Sequence, residues 1–466
     1  MIKNFSAGMT YSLPSLSLIV FIVILFASGG SSRTDEIQVA ILQPVSILFC
    51  ALGVYLALRN DSILNSRILL WLVATMAALV LIHVLPLPPS LWQALPNQAL
   101  VLEIDSSAKI EDAWRPLSLS PNVGRNSAFS IIAVLAVALL AGQLDKNERS
   151  LLLPVLIAMT SISGLVGLLQ AVGSSNGPLY FYQVTNTDSA VGLLANRNHA
   201  ATLLACIFPM LAAFASANKA QAVGRNSRRI WCAAIALVAV PLILVTGSRV
   251  GFLVGLIGLV GAGLIYRPEK RPSANDKSTK QKNALLRNLV AASLIISLAS
   301  LTFFMSRAKA VDRLFEMTPG EDGRFGFVQA AAKWAVEYLP FGSGSGSFAD
   351  FYRIIEMPSG LSAVYVNHVH NDWIETALTS GVPGILLMVL SAVLYVVQSY
   401  RVWRFGNPAG RSINTARMAS VCVFILAVSS LSDYPLRTPL LLSLAIIFST
   451  MLLSADIKPH RTTERI

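Results

Sequence analysis

Long apolar stretches recur along the whole chain, with short charged segments between them. Most are about 17–25 residues long, enough to span the hydrocarbon core of a bilayer as a helix. Only 13% of the 466 residues are charged, roughly half the share found in a soluble domain. The pattern predicts an all-α polytopic membrane protein with about 12 transmembrane helices. These lie near residues 12–28, 38–58, 66–87, 126–143, 150–172, 190–216, 229–247, 249–266, 285–306, 373–399, 415–432 and 437–454.

The basic residues predict how these helices are oriented. Lysine and arginine accumulate in every second loop, and cytoplasmic loops carry such an excess. Segment 267–282 is rich in basic residues, whereas segment 173–189 has none. We therefore expect both termini in the cytoplasm of a bacterium and the opposite loops on the periplasmic side of the inner membrane. The first stretch is expected to stay as a helix, because only Lys3 precedes it, too weak a basic start for a signal peptide.

Two of the expected periplasmic loops are long, and loops of this length are usually functional or disordered. The first, 88–125, could lie along the membrane interface. The second, 307–372, has enough aromatic residues to pack as a small helical cap. The predicted organisation is therefore transmembrane helices 1–9 in residues 1–306, the large periplasmic loop in 307–372, and helices 10–12 with a short cytoplasmic tail in 373–466.

Four arginines break the charge pattern because they stand on the expected periplasmic side. Charges at the membrane are costly and often mark a functional path. The alternative is that each arginine reaches the headgroups or pairs with a nearby acid, and for Arg437 we favour pairing with Asp433, four positions away. The turn before Arg249 is too short to supply an acid. Several guanidinium groups on one face suggest a polyanion, because their geometry matches phosphate oxygens. The four are Arg197, Arg249, Arg324 and Arg437.

Two of the five histidines, His368 and His370, stand where the large loop enters the tenth helix. Asn371 or Asp372 is expected to cap that helix, which leaves His370 beside an end where backbone donors favour anions. His370 is therefore a candidate general base. The His-x-His pair also resembles part of a metal site, but no third ligand is evident, so we predict no metal.

A Gly/Ser run at 342–347 has two interpretations. Its backbone N–H groups could cradle a phosphate, as consecutive N–H groups do in anion-binding nests. A flexible turn is favoured, because neither a preceding strand nor a Lys-Ser/Thr pair accompanies the run.

The order of these motifs along the chain resembles that of the O-antigen ligase and O-antigen polymerase superfamily of bacterial envelope proteins. The resemblance covers most of the chain, including the large loop between the ninth and tenth helices. One departure is Trp373, where the family often has tyrosine, so a stacking surface is kept without the hydroxyl. The motifs are Trp114-Arg-Pro-Leu-Ser-Leu119, Gly192-Leu-Leu-Ala-Asn-Arg-Asn-His199, Thr246-Gly-Ser-Arg249, Arg324 with Trp334 and Pro340-Phe-Gly-Ser-Gly344, His370-Asn-Asp-Trp-Ile-Glu375, Gly381-Val-Pro-Gly384 and Asp433-Tyr-Pro-Leu-Arg437.

The resemblance implies an enzyme that moves a glycan from undecaprenyl pyrophosphate to an acceptor hydroxyl on the periplasmic face. Arg249 and Arg324 would grip the pyrophosphate, and His370 would orient or deprotonate the acceptor. Membrane lipids and a glycan or lipid A-core acceptor are the implied partners; no cofactor and no nucleic acid are expected. Other residues implied to bind substrate are Arg197, Asn196, Asn371, His368, Arg437 and Trp373.

Three functions stay open at this point. Ligase-like transfer to a lipid A core is favoured narrowly over an O-antigen or exopolysaccharide polymerase, whose acceptor is a second lipid-linked repeat unit. A transporter of an anion or lipid-linked sugar is the third. Transporters usually place charged sites near the bilayer midplane within inverted repeats, whereas here the unusual charges lie at one face and no repeat is visible.

Overall fold

The computed structural model describes residues 12–33, 35–59, 67–175, 177–187, 189–217, 222–267, 324–356, 366–407 and 410–457, together with Ser293 and Ile296. These residues form an all-α membrane protein, as predicted. Eight described helical segments are long and apolar enough to cross a membrane, and three further apolar helices are shorter. The predicted ninth helix, 285–306, lies almost wholly outside the described residues, so the total of about 12 stays a prediction.

The helices follow the predicted stretches closely. One two-stranded antiparallel ribbon joins β1 (Pro86–Leu87) to β2 (Arg115–Pro116), and a 3₁₀ turn covers Pro435–Arg437. The helices are α1 Leu13–Ser28, α2 Ile37–Arg59, α3 Arg67–Val84, α4 Pro89–Trp92, α5 Ala99–Ala108, α6 Pro121–Gly142, α7 Lys146–Val172, α8 Arg197–Ala205, α9 Ile207–Ala215, α10 Ala222–Val245, α11 Arg249–Ile265, α12 Arg324–Glu337, α13 Phe348–Ile355, α14 Asp372–Phe405, α15 Arg411–Ser429 and α16 Pro439–Leu453.

The central span consists of α8 and α9, which follow each other across Cys206 and are almost entirely buried. The sequence suggested an apolar stretch from residue 190, but the helix begins only at Arg197. The reason is a cap: the Asn196 side chain accepts a hydrogen bond from the Asn198 N–H at 2.8 Å, and asparagine is a favoured residue at this position. Residues 190–196 therefore form the approach to the helix rather than its first turns.

Glycines on α11 let this helix pack directly against the central span. A Cβ atom on Gly251 would lie 2.3 Å from the Ala201 Cβ, and one on Gly258 would lie 2.5 Å from the Ala205 carbonyl oxygen. Small residues allow such close backbone approach between membrane helices, where packing replaces the hydrophobic driving force. Because Gly251 meets Ala201 and Gly258 meets Ala205, α11 runs parallel to α8, and both helices begin at the same end of the bundle.

Hydrogen bonds tie the loops into two groups. At one end, which we call the site end, the Leu440 N–H donates to the Gly29 carbonyl oxygen at 2.9 Å, and the Asp372 N–H donates to that of Ser430 at 3.0 Å. At the opposite end, Lys146 Nζ lies 2.8 Å from Asp456 Oδ2. The grouping agrees with the predicted alternation of loops. Which end faces the periplasm stays a prediction.

The described part of the large loop forms a small helical cap, as the aromatic residues suggested. Trp334 and Tyr338 of α12 meet the Phe351 ring of α13 edge to face, with centroids 5.0 and 5.3 Å apart. The same cluster includes Val369 and Leu378, which fixes the cap on the first turns of α14. Phe325 and Phe327, also expected in this cap, have side chains outside the described residues.

The Gly/Ser run 342–347 joins the cap to a break in α14 and is not a flexible turn. Helical geometry is interrupted at Gly381, with φ 54° and ψ −146°. The break leaves the Leu378 and Thr379 carbonyl oxygens free to accept from the N–H groups of Ser343 at 2.9 Å and Gly344 at 3.0 Å. The Ser345 N–H donates to His83 Nδ1 at 3.2 Å. These three N–H groups are already bound within the protein, which argues against the alternative interpretation of the run as a phosphate cradle as well.

We predict that Gly258→Ala destabilises the protein strongly. The added methyl group would meet the Ala205 carbonyl oxygen, and overpacking of this kind costs about 1–3 kcal/mol or more. Gly263→Ala on the same helix is the matched control, because nothing lies within 4 Å of its Cβ position. Thermal unfolding of both variants in nanodiscs would measure the difference. Equal midpoints would contradict the close packing of α11.

Candidate active site at the site end

Four of the described helices begin next to one another at the site end. The 3₁₀ turn contacts α8, α14 and α16, and α11 packs on α8. A side-chain oxygen caps each N-terminus by accepting from a backbone N–H. The positive ends of four helix dipoles therefore face the same region, which favours a bound anion. The capping residues are Asn196, Ser248, Asn371 and Thr438.

His370 lies at this convergence and is paired with a buried carboxylate. Its Nδ1 atom is 3.2 Å from Oδ1 of Asp433. With the proton on Nδ1 donated to this carboxylate, Nε2 is left as the acceptor atom of the ring. The side chain is 17% exposed, so the ring can be reached. His370 also has a φ of 58°, a left-handed conformation that is uncommon outside glycine and often found at functional sites.

Asp433 is fully buried and holds several elements together. The Asn198 Nδ2 donates to its Oδ2, the Tyr434 N–H donates to its Oδ1 at 2.9 Å, and Nε2 of the buried His199 lies 3.8 Å away. Burial raises the pKa of Asp433, but the nearby His199 and His370 lower it by more, so the pKa lies well below its usual value. Asp433 is therefore an ionised partner for His370.

Arg437 is paired, but not with Asp433, so the predicted partner was wrong. Its Nε atom lies 3.2 Å from Asp372 Oδ1 and 3.7 Å from Glu375 Oε1. The 3₁₀ turn directs the arginine towards the first turn of α14, whereas Asp433 faces α8 and His370. Burial lowers the pKa of Arg437, and the two carboxylates raise it by more, so the pKa is above its usual value.

A second histidine–carboxylate pair lies beside the first. His368 Nδ1 is 2.9 Å from Glu375 Oε1, and Glu375 Oε2 accepts from the Val369 N–H at 2.9 Å. The Tyr434 ring lies between the two histidines, with its centroid 4.4 Å from that of His368 and 4.8 Å from that of His370. Within the described chain, no three His, Cys, Asp or Glu side chains are grouped to hold a metal ion.

The other predicted site residues lie at several places around the helix N-termini and the cap. Arg249 is the first residue of α11 and is half-buried at the site end. The Arg197 N–H donates to Asn186 Oδ1 at 3.0 Å. The Trp373 indole N–H donates to the Ala427 carbonyl oxygen at 3.3 Å, so this ring packs against α15. Arg324 begins α12, but its side chain lies outside the described residues.

Among the acidic and histidine residues of the network, four were not predicted as site residues from the sequence. A signal was available for two of them, because Asp372 and Glu375 are three positions apart and share a helix face. Asp433 was considered only as a partner of Arg437, and nothing in the local sequence indicates that it contacts His370, 63 positions away. The four residues are Asp372, Glu375, Asp433 and His199.

Comparison with known families gives one match, to the middle of the chain. Residues 233–389 match the family model described as O-antigen ligase. The matched range contains Arg249 and the segment from His368 to Glu375, whereas Asn198 and Asp433 lie outside it. No curated protein matches the chain. Residues 233–389 are therefore similar to the O-antigen ligase family, and this match together with the apolar helices supports a bacterial membrane protein of ligase or polymerase type in polysaccharide biosynthesis.

Proposed function

We propose that the protein transfers a glycan from undecaprenyl pyrophosphate to an acceptor hydroxyl in a ligase-like reaction. The observation that carries the proposal is the His370–Asp433 pair at the end where four capped helices begin. A general base and an anion-attracting surface side by side suit the breaking of a bond to diphosphate. The proposal includes a site on the periplasmic face of the inner membrane, with both termini in the cytoplasm.

His370 acts as the base in this reaction. Its Nε2 accepts the proton of the acceptor hydroxyl while the oxygen forms a bond to the anomeric carbon of the donor sugar. Asp433 keeps the Nδ1–H tautomer in place and stabilises the imidazolium that forms, the role that a buried aspartate has in histidine-based catalysis. The bond between the anomeric carbon and the diphosphate oxygen breaks, and undecaprenyl pyrophosphate leaves with the bonding electrons.

Arg249 and Arg324 bind the diphosphate and stabilise the charge that it gains as it leaves. Guanidinium groups suit this task because they bind phosphate oxygens through two parallel hydrogen bonds. Arg437 is already shared by two carboxylates, so we assign it to holding the site in shape. Asn196 and Asn371 contribute as helix caps. We assign Arg197, His368 and Trp373 to contacts with the sugar residues of the substrates.

A polymerase is the second candidate, because ligase-type and polymerase-type enzymes both belong to the superfamily of the matched domain. The chemistry at His370 and Arg249 would be the same in both. The difference is the acceptor, which is a lipid A core for a ligase and a second lipid-linked repeat unit for a polymerase.

We predict that His370→Ala and Arg249→Ala each lower the transfer rate by at least about 100-fold, the usual loss for a general base or a charge-stabilising group. The assay uses purified protein in nanodiscs with a lipid-pyrophosphate oligosaccharide. Arg404→Ala, an exposed arginine at the far end of α14, is the matched control and should keep full activity. Full activity of both site variants would refute the assignment.

We predict that Asp433→Asn lowers kcat by about 10²–10⁴-fold while KM changes little. The amide fits the same space but can present its N–H to His370, which favours the wrong tautomer of the ring. Steady-state kinetics that separate kcat from KM would test this, together with a thermal melt to confirm folding. An unchanged kcat in folded protein would show that Asp433 does not act through His370.

We predict that transfer persists in EDTA, because the arginines and helix N-termini supply the positive charge at the diphosphate. The same assay, run with a lipid A-core acceptor and separately with a lipid-linked repeat unit, distinguishes the two candidates by which product forms. Loss of transfer in EDTA, restored by added Mg²⁺ or Mn²⁺, would contradict the metal-independent mechanism. No product with any acceptor, from folded protein, would favour transport instead.

A further inference from the structure

The surroundings of His368 closely resemble those of the proposed base, His370. In each case the Nδ1 atom lies against a buried carboxylate oxygen, at 2.9 Å from Glu375 Oε1 for His368 and at 3.2 Å from Asp433 Oδ1 for His370. The two histidine side chains are also exposed to a similar extent, 16% and 17%. The proposed reaction needs only one base, so the second pair has a different task.

The two imidazole rings lie close together because of the residue between them. The Val369 side chain is fully buried in the hydrophobic cluster of the cap, whereas both histidine rings contact the ring of Tyr434. The Tyr434 centroid is 4.4 Å from that of His368 and 4.8 Å from that of His370. Because only one aromatic ring separates the two imidazoles, a sugar unit of similar width can contact both.

The contacts of Glu375 determine which nitrogen of His368 is left for a ligand. Its Oε2 atom accepts from the Val369 N–H at 2.9 Å, and Arg437 Nε lies 3.7 Å from its Oε1 atom. A carboxylate in these contacts only accepts, so the Nδ1 atom of His368 has to be the donor in its hydrogen bond with Glu375. That bond fixes the tautomer of the ring and leaves the lone pair on Nε2.

We infer that His368 determines which hydroxyl of the acceptor sugar attacks, by accepting a hydrogen bond from a second hydroxyl of the same sugar. This rests on the proposed function, since it takes the attacking hydroxyl to lie at His370. A lone pair on Nε2 binds a hydroxyl but not a phosphate oxygen, which is itself an acceptor. The contact therefore goes to the acceptor sugar rather than to the diphosphate.

Two acceptor atoms held on either side of Tyr434 admit only a pair of hydroxyls with matching spacing and direction. A site that hydrogen-bonds a hydroxyl in this way discriminates against a sugar that lacks it. The substrate class is therefore a sugar with at least two free hydroxyl groups, and His368 is a specificity-determining residue.

The test is His368→Asn, assayed in nanodiscs with a lipid A-core acceptor and with analogues that each lack one hydroxyl of its terminal sugar. The asparagine amide nitrogen takes about the position of Nδ1 and can still donate to Glu375, but nothing replaces the Nε2 lone pair. We expect the acceptor KM to rise about tenfold, the scale of one lost hydrogen bond, with the donor KM unchanged. A second glycosidic linkage should appear in the product by NMR. Arg404→Ala is the matched control and should change neither.

The deoxy acceptors identify the second hydroxyl. For one of them the KM of the wild type should already be about tenfold higher, because the hydrogen bond to His368 is missing. His368→Asn should use that analogue as well as the wild type does, since the variant has no further bond to lose.

Modification of histidines by diethyl pyrocarbonate supplies a readout that needs no turnover. Mass spectrometry should find His368 and His370 modified in the wild type, and the acceptor alone should slow the modification of both several-fold. Inorganic pyrophosphate alone should leave His368 reactive. His83 and His199 are 2% and 1% exposed, so they are internal controls that should stay unmodified.

Three results would overturn the inference. The first is an unchanged acceptor KM and linkage in folded His368→Asn, because the ring would then only hold Glu375. The second is a rise in KM confined to the donor. The third is protection of His370 but not of His368 by the acceptor. If the wild type makes no product with any acceptor, the proposed function fails, and the protection pattern still decides whether His368 contacts the acceptor sugar.

Discussion

The contacts of the buried Asp433 carboxylate hold the elements of the site end together. It is fully buried and joins α8, through Asn198 and His199, to the segment before α14, through His370. Removing one partner of a buried charge is costly, about 3–5 kcal/mol, so these elements are held in one arrangement. The same contact that stabilises the loops also orients the ring of His370. Asp433 therefore has both a structural role and a role in the proposed chemistry.

The glycines of α11 supply the second constraint. Close packing of Gly251 and Gly258 on the central span fixes the depth and rotation of α11. That rotation sets the direction in which Arg249 faces at the site end, so the position of the proposed diphosphate contact is a consequence of this packing. The break in α14 at Gly381 fixes the position of the cap. It frees two carbonyl oxygens of α14, which accept hydrogen bonds from the Gly/Ser run that leads to the cap.

Most of the fold was predictable, because bilayer thickness sets helix length and composition. The apolar stretches predicted the helices, and the aromatic residues predicted the cap. Boundaries were less predictable where a cap residue rather than hydropathy decides the start, as at Asn196. Within the site, His370 and the Asn371 cap could be found because they are local features. The partner of Arg437 could not be found from the sequence. Asp372 and Glu375 on α14 are alternatives to Asp433, and only the packed helices determine which acid lies next to the arginine.

The sequence by itself determined the class of the protein, the spacing of its helices and the resemblance of its motifs to the O-antigen ligase superfamily. These follow from local composition and order, which need no knowledge of which helices touch. The tertiary structure decided the pairing: Asp433 with His370, Arg437 with Asp372 and Glu375, and the Gly/Ser run with the break in α14. Each of these contacts joins residues at least 35 positions apart. Such contacts depend on how buried groups satisfy one another once the helices have packed, and a linear pattern carries no record of that.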